Sequence, residues 1–227
     1  MIFDFDNKPS DSPLVDFVWK TRTDEETGSF MSIAGYHSEL VVTKQYGKLN
    51  LSIRGPESKA SPSDVPENAE FFGIVLKLGA YMPKLPPINL LDNNSVHLQE
   101  SSYNSIWLGS AWQIPTYENV DTFISRLIRE GLLVYDPLVS AVIENKPLDI
   151  SLRTIQRRFL TATGVSHKTI LQIDRANEAA RLLEEGRSIL DTTYELGYFD
   201  HAHLTKSLKH YLGLNPSELK AKQAAGE

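Results

Sequence analysis

Cysteine is absent from the 227 residues of this chain, which removes disulfides, thiolate nucleophiles and cysteine-ligated zinc together. A reducing compartment fits that absence. No stretch approaches the roughly 18 consecutive apolar residues that a membrane span needs, and the opening "MIFDFDNKPSD" lacks the positive flank and apolar centre of a secretory signal. A cytoplasmic protein with no membrane partner is therefore expected. Glycine-rich phosphate loops, a nucleophile elbow and an HExxH pair are missing as well. Histidine is sparse in the first half, where His37 and His97 stand sixty positions apart. Neither a metal, nor another cofactor, nor catalysis is expected from such a composition.

What is present is concentrated between residues 151 and 219. "SLRTIQRRFL" puts Leu152, Ile155 and Phe159 at helical spacing on one side and Arg153 and Arg157 on the other, with Ser151 as N-cap. "DHAHLTKSLKHYLG" repeats the design. There Asp200 caps, Leu204, Leu208 and Tyr211 form an inward stripe, His203, Lys206 and His210 share a polar flank, and Gly213 ends the helix. Just before it, "SILDTTYELGY" opens with Ser188 and Asp191 as a capping box, offers Ile189, Thr192 and Leu196 as a short buried face, and turns at Gly197. A helix, a glycine turn and a capped basic helix make a helix-turn-helix. Between the two units, Ser166 can cap a linking helix whose apolar series is Ile170, Ile173, Ala176, Ala180 and Leu183, closing at Gly186. Some 18 helical residues would span roughly 27 Å, close to the roughly 34 Å between successive major-groove faces of a duplex.

The strings "RTIQRRFLTATGVS", "RANEAARLL", "SILDTTYELGYFDHAHLTKSLK" and "GLNPSEL" resemble the DNA-binding domain of the AraC/XylS family of transcription regulators. The likeness covers the last third of the chain and joins Arg175, Ala180, Leu182, Leu183, Ile189, Gly197, Asp200, Lys209, Gly213 and Pro216 in order. It implies double-stranded promoter or operator DNA as the partner. RNA polymerase, a small-molecule effector and a second copy of the chain are further partners that such a regulator could take. Leu204 and Leu208 stand where the family usually has aromatic residues, and Lys206 where arginine is common. Lysine cannot make arginine's bidentate guanine contact.

On this reading Arg153, Gln156 and Arg157 meet base edges in one major groove, since arginine suits guanine and glutamine suits adenine. His201, His203 and Lys206 enter the next groove. Thr154, Arg158, Lys168 and Lys209 hold phosphates and set the register. His201 and His203 do not form a metal pair, because residues two apart on a helix point away from each other.

A net charge of −6 sits oddly with a DNA ligand until it is divided. Residues 151–227 carry 11 Lys and Arg against 9 Asp and Glu, and residues 1–150 carry 12 against 20. The acid belongs to the other half. A balance of +2 is still a weak field, so specific contacts must supply most of the discrimination.

That other half reads as mainly β. "KLNLSIRG" alternates Leu49, Leu51 and Ile53 with polar partners, "HSELVVTKQYG" is a second strand, and "FFGIVLKLG" is apolar enough to be buried on both faces. Residues 59–68, "KASPSDVPEN", read as a loop, and Pro83, Pro86 and Pro87 exclude a central strand or helix in the crossing that follows. The pattern also resembles, less specifically, the sensor halves of some AraC/XylS regulators, which implies a small β-barrel or a cupin-like domain. Trp19, Tyr36, Tyr46, Tyr81, Trp107 and Trp112 all lie here. Such aromatics build a core or line a ligand pocket, and these six are the pocket candidates.

From Asn119 the pattern turns helical. "NVDTFISRLIREG" puts Phe123, Ile124, Leu127 and Ile128 on one face. "DPLVSAVIENK" begins with Asp136 as cap and Pro137 in the first turn, with Leu138, Val142 and Ile143 as its buried face. The connection "KPLDI" from Lys146 to Ile150 is longer than a glycine turn, which makes the first unit irregular. The expected architecture is α+β: a β-rich, barrel or cupin-like sensing or dimerising domain over residues 1–118, then an all-α domain with two helix-turn-helix units over 119–227. A sequence-specific regulator, controlled through its N-terminal half, is the favoured function. Two other readings stay open: an antagonist of the same fold that no longer binds DNA, and a small-molecule-binding protein or enzyme with an accessory helical tail.

Overall fold

The computed structural model describes residues 5–24, 28–92, 95–98, 100–102 and 105–219. Strands come first: β1 (Asp6–Lys8), β2 (Val15–Arg22), β3 (Gly28–Ser32), β4 (Glu39–Gln45), β5 (Lys48–Arg54), β6 (Ser61–Val65), β7 (Ala69–Leu76), β8 (Ala80–Tyr81), β9 (Val96–His97), β10 (Glu100–Ser102), β11 (Ser105–Trp107) and β12 (Ala111–Gln113). Then come α1 (Val120–Arg129), the short β13 (Val134–Tyr135), α2 (Pro137–Ile143), α3 (Leu152–Thr163), α4 (His167–Glu184), α5 (Ile189–Glu195) and α6 (His201–Leu212). A β-rich region followed by a helical one is the expected α+β order.

The chain packs as two compact units, one of Met1–Ser29, Tyr36–Pro56 and Asp64–Ser166, the other of Phe30–Gly35, Glu57–Ser63 and His167–Glu227. The first is built on a six-stranded antiparallel sheet in the order β1-β2-β7-β4-β5-β9. Its tightest connection is Tyr46-Gly47, where both residues have positive φ (48° and 77°), the geometry in which a two-residue turn matches strand twist. Alternation then sorts the side chains. Val18, Leu40, Val42, Leu51, Ile53 and Ile74 share one buried cluster, and in the ladder Leu40 stands opposite both Ile53 and Ile74.

Helix α1 closes this core. Its inward face is Val120, Phe123, Ile124 and Leu127, with Ile128 partly covered, so the helix that opens the helical part of the sequence buries itself in the strand cluster. β7 is buried on both faces as its composition suggests: Gly73 to Leu76 are all enclosed. Gly73 is required there. The Trp19 indole lies flat on it, and a Cβ would stand 2.2 Å from the ring.

Residues 59–68 are not only loop, since β6 occupies 61–65 and pairs with β3 in a two-stranded sheet. Pro62 is tolerated because each strand of such a pair is an edge and one missing donor costs no ladder bond on the open side. The proline-rich crossing carries the short 3-10 turn Pro87–Asn89, with proline in its first position.

In the second unit α4 supplies the floor. Ile170, Ile173, Ala176, Ala179, Ala180, Leu182 and Leu183 are buried along its 18 residues, and its small alanines let α6 approach closely. Two segments from the first half of the sequence complete the unit. The Ala34 amide donates to the Tyr211 carbonyl at 2.7 Å, and the Ala60 amide donates to the His210 carbonyl at 2.8 Å. These are last-turn carbonyls of α6, which a helix cannot satisfy internally. Gly35 and Glu57 exchange both backbone bonds, at 2.9 and 2.8 Å, and hold the two segments together.

Candidate nucleic-acid interface

Helix α3 begins where expected: the Ser151 hydroxyl accepts from the Thr154 amide at 3.2 Å, and Gly164, left-handed at φ 75°, ends it. The face it buries is shifted from the sequence pattern. Phe159, Ala162 and Thr163 point inward and Ile155 is half-buried, whereas Leu152 is 76% exposed. Leu152 sits in the first turn, before the helix has reached the surface it packs on. Arg153, Gln156 and Arg157 are exposed, and among the described residues no carboxylate pairs with either arginine. Thr154 is half-covered beside the Ser151 hydroxyl.

Arg158 has a different occupation. Its guanidinium donates two bonds to Asp136, Nε to Oδ2 at 3.1 Å and Nη2 to Oδ1 at 2.6 Å. Asp136 also accepts from the Leu138 amide at 3.0 Å as N-cap of α2. One carboxylate thereby fixes α2 to α3 and holds Arg158 firmly protonated, its pKa raised by the hydrogen bond and the charge of Asp136. Here α2 buries Leu138 and Val139, not the expected Val142 and Ile143; Val142 is half-buried and Ile143 is 38% exposed. Seven residues complete scarcely two turns, so the face is set by the Asp136 end. The longer connection between the helices is exposed apart from Leu148.

The second pair is built more tightly. Ser188 caps α5, accepting from the Asp191 amide at 3.0 Å. Its buried residues are Thr192 and Thr193, while Ile189 and Leu196 are only partly covered. Each threonine hydroxyl donates back to the carbonyl four residues earlier, at 2.9 and 2.7 Å, which lets a polar side chain fill the interior. Gly197 turns the chain with φ 68°. Tyr198, buried beneath the Arg175 guanidinium at 4.3 Å, shares a hydrogen bond with Ser207 of α6 at 3.2 Å.

Asp200 caps α6 through the His203 amide at 2.7 Å. Leu204, Ser207, Leu208, Tyr211 and Leu212 face inward, which contains the whole expected stripe. The Tyr211 hydroxyl donates to Gln172 of α4 at 3.1 Å, and burial pushes its phenol above the ordinary value. His201, His203, Lys206, Lys209 and His210 are all exposed, as is Lys168 in the first turn of α4.

The six pocket candidates have different surroundings. Trp19 donates to Glu39 at 3.0 Å, Tyr36 packs on the His37 ring, and exposed Tyr46 donates to Glu67 at 2.7 Å. Trp107 is 54% exposed, while Trp112 is core, stacked under Arg126 and edge-on to Phe123. Tyr81 lines an open cleft of about 520 Å3, with Tyr135, Asp136, Arg157, Arg158 and Thr161. Among the described residues no three His, Asp or Glu side chains gather as a metal site. Nor is any described helix long and apolar enough to cross a membrane.

Residues 146–222 match a family model described as a helix-turn-helix domain. Taken with the two capped, outward-facing polar helices, this defines the C-terminal segment as a helix-turn-helix DNA-binding domain, the kind that transcription regulators carry. Within that class it is of the AraC type. Among solved structures, ToxT from Vibrio cholerae is similar in outline: 12% identity over 96% of this chain and 98% of that one, with a TM-score of 0.36. ToxT bound to (E)-4-(8-methylnaphthalen-1-yl)but-3-enoic acid is similar at 11% identity over 96% and 99%, with a TM-score of 0.38. Scores of this size describe a loose likeness of shape. No curated protein matches the chain.

Proposed function

We propose that the chain is a sequence-specific regulator that reads duplex DNA with α3 and α6, residues 119–227 holding this function and residues 1–118 a sensing or dimerising one. The reading rests on one observation. Both helices are capped by a side chain and anchored by buried residues, and both leave polar side chains in solvent, arginine and glutamine on α3 and lysine and histidine on α6. Arg153, Gln156 and Arg157 read bases from α3, and His201, His203 and Lys206 from α6. Thr154, Lys168 and Lys209 hold phosphates. Arg158, committed to Asp136, serves the reading surface by orienting α3.

Selection of duplexes from a random pool by the whole chain tests the reading. A shared motif should emerge, with affinity falling linearly in log salt; a pool that stays random would overturn it. Control by a small molecule, contact with RNA polymerase and pairing of two copies extend the same reading. For the first, Trp19, Trp107 and Trp112 are natural reporters, since all three precede the helical part. The acidic balance of that half favours a neutral or cationic ligand. An effector that shifts tryptophan emission must change operator affinity by the factor by which operator changes its own.

A further inference from the structure

The turn before α6 leaves one large apolar side chain in solvent. Phe199 is 88% exposed, and its position is held from both sides. Tyr198, its neighbour, is locked inward by Arg175 and Ser207, and Asp200, which follows, is the extended N-cap of α6 at φ −156°. The Phe199 amide donates to His203 Nδ1 at 3.4 Å. Two adjacent aromatics thus point to opposite sides, one buried and one displayed.

An apolar residue immediately before an N-cap usually has a structural purpose: it packs against the fourth residue of the helix as a hydrophobic staple. Here that partner would be Leu204. Leu204 is completely buried and Phe199 is almost completely exposed, so the staple is not made. With that use removed, what remains is location. The first turn of a reading helix is the part that enters the major groove, and Phe199 stands beside it with exposed His201, Ala202 and His203. The apolar feature of a major groove is the thymine methyl, which phenylalanine and alanine side chains recognise by contact.

We infer that Phe199 is a specificity-determining residue, reading a thymine methyl at the edge of the site held by α6. This rests on the proposed DNA reading and adds to it an apolar contact that the polar residues of α6 cannot supply. It also gives the second unit a discriminating contact where Lys206 lacks the forked guanine bond of an arginine.

The test uses the full-length chain and a duplex that it selects from a random pool. Each thymine of that duplex is replaced in turn by uracil, which deletes the methyl and keeps the base pair. At one position next to the α6 half-site the replacement should weaken the wild type about ten-fold. Phe199→Ala should bind the thymine duplex about ten-fold more weakly than wild type, bind the uracil duplex equally well, and keep its melting temperature. Two results would overturn the inference while leaving the DNA reading intact: unchanged affinity of Phe199→Ala, or uracil penalties that are the same in both proteins. A pool from which no motif emerges overturns both. A Phe199→Ala chain that sediments as a smaller species without DNA would assign the side chain to a contact between copies, and so also overturn it.

Discussion

The two helix-turn-helix units solve one problem in different ways. The second is locked within itself by Tyr198 to Ser207 and Gly197 making a tight turn, and to the linking helix α4 by Arg175 over Tyr198 and Tyr211 to Gln172. The first has a long exposed connection and few buried residues. Its helices are joined by the Asp136 carboxylate, and α3 packs on the proline-rich crossing and on β8 of the sheet unit. A reading helix can therefore be oriented by interlocking with the helix that precedes its motif or by clamping to a sheet. The first unit should be sensitive to one carboxylate and the second to its interior.

The interior gives the largest expected effect. Leu204→Asp places a charge where no exposure remains, and should cost more than about 4 kcal/mol. Amide exchange should show protection lost in α5 and α6 while the sheet keeps its own. Simultaneous loss from both regions would mean that the two units are not separate in stability.

Arg157→Ala should weaken binding to the selected duplex by about 1–3 kcal/mol with a melting temperature near wild type, because the side chain is exposed and free of carboxylates among the described residues. A lower melting point with unchanged affinity would place Arg157 in the scaffold instead.

Asp136→Ala removes a cap and an ion pair together, and should destabilise the first unit by about 1–2 kcal/mol. Asp136→Asn keeps the cap and should recover most of that stability in urea titrations, but not the orientation of α3, so its DNA affinity should stay low. Equal recovery of both would reduce Asp136 to a cap.

The smallest effect concerns the sheet unit on which the first reader rests. Burial raises the pKa of Glu39, against the opposing pull of Arg54, Trp19 and His37. A carboxyl that binds its proton more tightly when folded stabilises the fold below its ordinary value, near 4.5, and loses that contribution as pH rises through the elevated folded value. Glu39→Gln should accordingly gain on the order of 1 kcal/mol at pH 7 and nothing at pH 4. A gain of equal size at both pH values would deny the ionisation any part in it.

Much of the helical half was legible because its signals are local. Ser151, Ser188, Asp136 and Asp200 all cap the helices they precede, and Gly186, Gly197 and Gly213 all take positive φ. Faces of short helices were less legible. Leu152 and Ile143 follow the apolar period yet are exposed, since a face is decided by the neighbour it meets and a two-turn helix has little period to read. Thr192 is buried as its place in the helical period predicts, whereas Thr193 is buried because its hydroxyl is satisfied inside the helix, which composition does not announce. Which aromatic rings meet is not written in their density along the chain, since pairing registers such as Trp19 opposite Gly73 set their neighbours. Phe199 needed the structure, because an apolar residue before a cap reads as a staple until its partner is found buried without it.

The capping of α6 by Ala34 and Ala60 has a consequence for how this protein is made and rearranged. A ribosome delivers both amides, and Met31, whose side chain leaves no room for a Cβ on Gly213, long before the helix they serve. Those segments must wait until α6 has been made to find their partner, so this reader is closed by amides that lie about 150 residues or more before the carbonyls they satisfy. The same bond pattern limits inheritance by recombination. A fusion that takes everything after residue 118 carries α6 away from the amides that close it, and a recipient without equivalent strands would receive a helix with two bare carbonyls at its base.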